Sequence, residues 1–160
     1  MPTAPAAPAS FITPDALLAH WQAHRRLTRR TIEAFPDEKF ASFSVGGMRP
    51  FAELAKEMLG MAEPTVRGIV TGEWNEFAMK PAKTRAEVLR QWDESTKQLN
   101  ALWPKIPAAR FQEEDTAFGQ WKMKIYDLLL YIRDNEIHHR GQGYVYLRAL
   151  GIEPPPFWER

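Results

Sequence analysis

The residues best suited to chemistry lie in one segment near the end of the chain, NEIHHRGQGYVYLRALGIEPPPF at positions 135–157. Two adjacent histidines, His138 and His139, follow Asn135 and precede Arg140. Asn135 and His139 are four residues apart, so on a helix they lie on the same face. An amide and an imidazole at this spacing predict either part of a metal site or part of a buried hydrogen-bond network.

Glu57 is the carboxylate expected to face this pair, because it lies beside the apolar face of the second predicted helix. Facing helices of a bundle assemble metal sites from inward side chains, so Glu57, Asn135 and His139 are candidate metal ligands. In the alternative interpretation, Glu57 pairs with His139 or Arg140, and Asn135 bonds a neighbouring helix. A shift of one residue in helix phase would exchange His138 and His139, so the sequence leaves open which of them faces inward.

A second histidine pair, His20 and His24, is also spaced by four residues on the first predicted helix. Such a pair can chelate a metal, but the residues between the two lack the acid of the HExxH motif. His24 shares the inward stripe with Trp21, whereas His20 lies nearer the edge. We expect packed or solvated histidines here, and His24 remains a candidate fourth polar group in the cavity of the bundle.

Caps, helix breakers and apolar periodicity predict four long helices, at about 14–35, 50–72, 84–104 and 122–150. Pro64 predicts a kink or break in the second helix, because an interior proline costs about 3 kcal/mol. No strand pair is predicted, and the segment 107–119 is expected to be irregular. The fold class is therefore all-α, a four-helix bundle.

Composition sets broad limits on the class of protein. The 160 residues predict one domain at 13–160 after a flexible Pro/Ala-rich tail at 1–12. A net charge of +1 predicts no nucleic-acid partner, so the basic run at 24–30 is expected to be a solvated helix face. Trp121 is expected in the core.

No apolar run approaches the roughly 20 residues that span a bilayer, and no signal peptide is recognisable, so we expect no membrane contact and a cytoplasmic location.

Two stretches resemble the DinB/YfiT-like superfamily of damage-inducible four-helix bundles. EIHHRGQGYVYLRALGIEPPPF at 136–157 resembles its C-terminal signature, and GGMRPFAELAKEML at 46–59 resembles the segment that enters its second helix. The resemblance covers about 14–157. It implies a bundle that is often dimeric and that binds nickel or zinc through three histidines, one from the second helix and an HxxxH pair from the fourth. Relatives include transferases and isomerases in which the metal activates bacillithiol or mycothiol.

Only His139 matches a metal ligand of that family. Asn135 stands at the first position of the HxxxH pair, and Glu57 stands at the second-helix position. Asparagine is a poor ligand for zinc or nickel, whereas glutamate is acceptable. One implied reading is a stress or detoxification thiol S-transferase with an altered site, which holds nickel, zinc or manganese. A low-molecular-weight thiol would be its cosubstrate, with Arg140 meeting an anionic group. The other is a non-catalytic, metal-free protein that binds a small ligand or a partner. Under either reading we expect a homodimer.

Overall fold

The structure, a computed structural model, describes residues 11–74 and 81–160. Its long helices are α1 (Pro14–Ala34), α3 (Phe51–Thr71), α4 (Arg85–Leu102) and α5 (Ile125–Ala149), and a short α2 (Asp37–Phe40) follows α1. Two 3₁₀ turns, Trp103–Lys105 and Ala108–Gln112, lead into β1 (Glu114–Ala117) and β2 (Trp121–Lys124). The prediction of an all-α four-helix bundle is confirmed. Most of the tail predicted at 1–12 lies outside the described residues.

Local sequence signals account for most helix ends. Thr13 caps α1 by accepting a hydrogen bond from the backbone of Ala16, and Thr84 with Glu87 forms the predicted capping box of α4. Of the kink or break expected at Pro64, the break is wrong, because α3 continues through Pro64 to Thr71, and the kink stays a prediction. The turns on either side of Pro64 bury apolar side chains in the bundle, and this packing outweighs the local cost of the proline.

A two-stranded antiparallel hairpin precedes α5, so the expectation of no strand pair is wrong. Glu114 pairs with Lys124 and Ala117 with Trp121, and α5 begins at Ile125 rather than near 122. At the turn, Phe118 and Gly119 both have positive φ, of 53° and 69°. β1 has no period-two pattern, and the apolar–basic alternation of β2 spans four residues, the shortest run that indicates a strand, which is why the sequence did not predict the pair.

The helices bury two apolar clusters that are separated by polar side chains. The first apolar cluster contains Leu17 and Trp21 of α1, and the second contains Ile32 of α1 and its C-cap residue Phe35. Between these positions α1 buries polar residues. On α5, buried polar residues likewise lie between Ile132, which belongs to the first cluster, and Tyr146, which belongs to the second. The bundle therefore has a polar layer near its middle, where each buried group needs a partner. No helix in the described ranges is long and apolar enough to cross a membrane.

Candidate functional site

Glu57 of α3 collects donors from three directions. Its Oε1 accepts hydrogen bonds from His139 Nε2 at 2.9 Å and from Asn135 Nδ2 at 3.1 Å, both on α5. Its Oε2 lies 2.7 Å from Nη2 of Arg49, in the loop before α3. The structure therefore brings together Glu57, Asn135 and His139, the candidate residues predicted from the sequence, and adds Arg49, which was not predicted.

The Glu57 carboxylate is ionised in this setting. Burial alone would raise the pKa of Glu57, but hydrogen bonds from His139, Arg49 and Asn135 outweigh it and lower the pKa to about 2. An ionised carboxylate only accepts hydrogen bonds, so His139 carries its proton on Nε2. The imidazole and the carboxylate therefore hold each other in one fixed arrangement.

The sequence left open whether His138 or His139 faces inward, and in the structure it is His139. His139 is 6% exposed and contacts Glu57, whereas His138 is exposed. Gln142, one turn further along α5, has its amide nitrogen 3.1 Å from His138 Nε2 and its oxygen 3.4 Å from His139 Nδ1. His138 therefore belongs to the surface of α5 and not to the site.

These residues do not fit a nickel or zinc ion. In residues 11–74 and 81–160, no three histidine, aspartate or glutamate side chains come together as a metal site would require. The buried Oδ1 of Asn135 lacks a hydrogen-bond partner there and is a free acceptor, but amide oxygen is a weak ligand for these metals. Arg49 already places a positive charge on Glu57. Glu57 and His139 are thus the two strong ligands of this set, and Arg49 would compete with a metal ion for Glu57.

A cavity of about 510 Å³ opens beside Glu57. Glu57 and Arg49 form its polar end, and its other walls are the apolar or aromatic residues Gly60, Met61, Phe118, Trp121, Met123, Leu128, Tyr131 and Ile132. The expectation that Trp121 lies in the core is wrong, because it is 42% exposed on β2 and lines this cavity. The hairpin that the sequence did not predict therefore builds one wall of the cavity.

Arg140, proposed from the sequence as a ligand-binding residue, points away from Glu57. It is 6% exposed, and its guanidinium donates to the carbonyl oxygen of His24 at 3.2 Å and to Thr28 Oγ1 at 3.0 Å. Its Nη2 lies 3.0 Å from His24 Nδ1. Arg140 does not line the cavity. His24 belongs to this polar cluster around Arg140 and does not reach Glu57. It is therefore not a fourth polar group of the site.

Glu136 organises the polar cluster around Arg140, a role that was not predicted from the sequence. It is 3% exposed and accepts hydrogen bonds from Trp21 Nε1 at 3.1 Å and Thr28 Oγ1 at 2.6 Å. Its Oε2 lies 4.0 Å from the guanidinium of Arg25, which is 1% exposed. The basic run at 24–30 is therefore not a uniformly solvated face. The available signal was the position of Glu136 four residues before Arg140 on the apolar stripe of α5.

Known proteins share this fold. The DinB family matches residues 9–160 of the chain. The uncharacterized protein YjoA of Bacillus subtilis is 23% identical over 149 residues, which are 91% of this chain and 96% of YjoA. The crystal structure of YjoA superposes with a TM-score of 0.73, at 22% identity, over 90% of this chain and 98% of that one.

Two further solved structures extend the comparison. A DinB-like protein from Bacillus cereus has a TM-score of 0.68 at 17% identity, covering 89% of this chain and 95% of that one. A variant of the mycothiol-dependent maleylpyruvate isomerase has a TM-score of 0.64 at 11% identity, covering 82% of this chain and 60% of that one. The chain belongs to the DinB family, and at these identities the superpositions define its fold.

Proposed function

We propose that this chain is a DinB-family protein that binds a small, mainly apolar organic molecule in the cavity beside Glu57, without a tightly bound metal. The observation that carries the proposal is the cavity itself. Its volume of about 510 Å³ lies within the range of small-molecule sites, which are mostly apolar with a few placed polar groups. Here Arg49 and Glu57 are the polar groups at one end.

The lining indicates an aromatic or branched ligand with one polar or anionic group. Trp121 and Tyr131 offer partly exposed rings, and Met61 and Met123 offer thioethers that adapt to irregular shapes. Arg49 is half exposed, so part of its guanidinium stays open to a ligand while it holds Glu57. A sulfonate or carboxylate on an apolar body would meet Arg49 and leave the rings against the walls.

Binding of 8-anilinonaphthalene-1-sulfonate, an aromatic sulfonate whose fluorescence rises in apolar surroundings, tests this proposal. We expect saturable binding that Tyr131→Ala weakens, because Tyr131 lines the cavity. Tyr126→Ala is the matched control, since Tyr126 is an exposed tyrosine of α5 outside the cavity. Equal affinities of the two variants, measured by fluorescence titration with cooperative unfolding confirmed for both, would exclude this cavity as the site.

Arg49 has its own matched control. Arg67 forms an ion pair with Glu63 on the surface of α3, four residues apart and outside the cavity. We expect Arg49→Gln to weaken binding of the sulfonate about tenfold, the effect of losing one charge-assisted hydrogen bond. Arg67→Gln should leave the affinity unchanged. A loss of equal size in both variants would indicate a general charge effect rather than a contact in the cavity.

A metal-dependent thiol S-transferase is the second candidate. Two observations favour it: the mycothiol-dependent isomerase shares the fold, and the free Oδ1 of Asn135 lies on a residue that contacts Glu57. The donor set argues against it, so we expect nickel, zinc and manganese to bind weakly to the unmodified protein. Elemental analysis after dialysis against each metal measures this. Near-stoichiometric metal that His139→Ala removes would instead support the altered metal site.

Arg49 also provides a test of why the metal is disfavoured. In Arg49→Gln the competing cation is gone, and Oε2 of Glu57 is released. We expect this variant to take up more metal than the unmodified protein, and Arg67→Gln to take up no more. Unchanged uptake in Arg49→Gln would show that the donor types alone, and not Arg49, disfavour the metal. The predicted homodimer, absence of a nucleic-acid partner and cytoplasmic location stay predictions.

A further inference from the structure

Basic side chains from three segments converge on the α1–α5 interface, away from the cavity. His20 and His24 come from α1, Arg133 and Arg140 from α5, and Arg160 from the segment after α5. The rings of His20 and His24 meet edge to face with centroids 4.8 Å apart. Burial and these neighbouring positive charges lower the pKa of both imidazoles, that of His24 to about 4. His24 is therefore neutral near pH 7.

Two arginines contact the two ring nitrogens of His24. Nη2 of Arg140 lies 3.0 Å from Nδ1, and Nη1 of Arg160 lies 3.1 Å from Nε2. A guanidinium only donates hydrogen bonds, and a neutral imidazole accepts on one nitrogen and donates from the other. One of the two contacts is therefore a donor facing a donor, and an acceptor atom that contacts both groups would relieve it.

The mismatched contact is the one that Arg160 makes. Arg140 is buried and fixed by two other acceptors on α1, the carbonyl oxygen of His24 and the hydroxyl of Thr28. It cannot leave Nδ1 without losing them, so Nδ1 is the accepting nitrogen and Nε2 carries the proton. Arg160 is exposed, and its side chain can rotate away from Nε2 at little cost.

Nearby acids have other partners. Glu136 accepts hydrogen bonds from the α1 side chains described above, Asp134 accepts from Arg133 at 3.0 Å, and Glu159 lies 3.5 Å from Arg30. Among the described residues, the hydrogen bonds and ion pairs of these carboxylates go to side chains other than Arg160 and His24. The carboxylates of the described residues therefore do not supply the acceptor, which leaves water or a bound molecule to accept from Arg160 and His24.

We infer that this cluster binds a small oxyanion, a phosphate or a carboxylate, between the guanidinium of Arg160 and the Nε2–H of His24. One oxygen of the anion would accept from both donors and remove the mismatch. The positive charges of Arg133 and Arg140 add to the attraction for the anion. The imidazoles of His20 and His24 are partly shielded from solvent, which strengthens this attraction. The site is separate from the cavity, so it does not depend on the proposed function.

Titration calorimetry at constant ionic strength tests the inference, with sodium phosphate and sodium acetate as probes and sodium chloride as the balancing salt. We expect saturable binding of at least one probe, and its identity assigns the phosphate or carboxylate class. Arg160→Gln should weaken that binding about tenfold, because it removes a charge-assisted hydrogen bond. Arg26→Gln is the matched control, since Arg26 is an exposed arginine of α1 outside the cluster. Equal affinities of these variants, or no saturable binding of either probe, would overturn the site.

Nitrogen NMR of His24 gives a second, independent test. We expect the tautomer with the proton on Nε2, and a shift of this nitrogen on titration with the probe that binds. Arg160→Gln should keep the tautomer, because Arg140 fixes it, while the shift on titration should shrink. A proton on Nδ1 would mean that Arg140 makes the mismatched contact, and would refute the assignment of the anion to Arg160.

Discussion

Acidification should destabilise the protein through His24 between pH 7 and pH 5. His24 is 6% exposed and lies against Arg140 and Arg160, so burial first, and then these charges, lower its pKa from 6.5 to about 4. The unfolded chain binds this proton near pH 6.5, before the folded chain does. The stabilising effect of a neutral His24 is thus complete above pH 6.5 and is lost as the pH falls toward 4.

The size of this loss follows from the two pKa values. Proton linkage between 6.5 in the unfolded chain and about 4 in the folded chain gives a loss of about 2 kcal/mol in the free energy of unfolding between pH 7 and pH 5. Most carboxylates stay ionised above pH 5, so His24 should account for much of the change in this window. The loss is a large fraction of the 5–15 kcal/mol, roughly, that stabilises a typical domain.

Urea unfolding at pH 7 and pH 5 measures the effect. His24→Gln keeps an acceptor for the arginines but has no titratable group, so its free energy of unfolding should change by about 2 kcal/mol less between the two pH values. His20→Gln removes an exposed histidine from the same helix and should keep most of the dependence. If His24→Gln lost as much stability as the unmodified protein, the buried neutral histidine would not be the cause, and the reasoning would be refuted.

Two further expectations concern packing and buried charge, and both are measured as free energies of unfolding in urea. Gly143→Ala should destabilise by about 1–3 kcal/mol, because the added Cβ would lie 2.4 Å from a ring carbon of Phe51, whereas Gly141→Ala, with open space around it, should be neutral or stabilising. Glu136→Gln should cost about 3–5 kcal/mol, because it removes the buried counter-charge that two buried arginines share. Glu33→Gln, in an exposed ion pair with Arg29 on α1, should cost under about 1 kcal/mol.

Each comparison has an outcome that contradicts it. Equal stabilities of the two glycine variants would mean that the Phe51 ring moves aside freely and that the α3–α5 approach is not tight. A small loss in Glu136→Gln would mean that the Arg25 and Arg140 guanidinium groups reach solvent or that another acceptor replaces the carboxylate. In that case the polar layer would not depend on one central acid.

Local signals made the helices predictable. Thr13 and Thr84 cap α1 and α4 through contacts within three residues, so the sequence specifies these starts without reference to the rest of the fold. The spacing of Asn135 and His139 placed both on one face of α5, and both do contact Glu57. The hairpin was not predictable in this way, because strand pairing is made between segments and its turn places Phe118 at positive φ, which sequence patterns do not anticipate for phenylalanine.

The sequence by itself thus determined the helical bundle, the segment that holds the candidate site and the residues on its inward face. Tertiary structure alone decided what those residues do. Arg49 reaches Glu57 from the loop before α3, and Arg140 turns to His24 and Thr28 because α1 packs against its side of α5. Such contacts depend on how helices pack at a distance along the chain, whereas caps and periodicity act within a few residues.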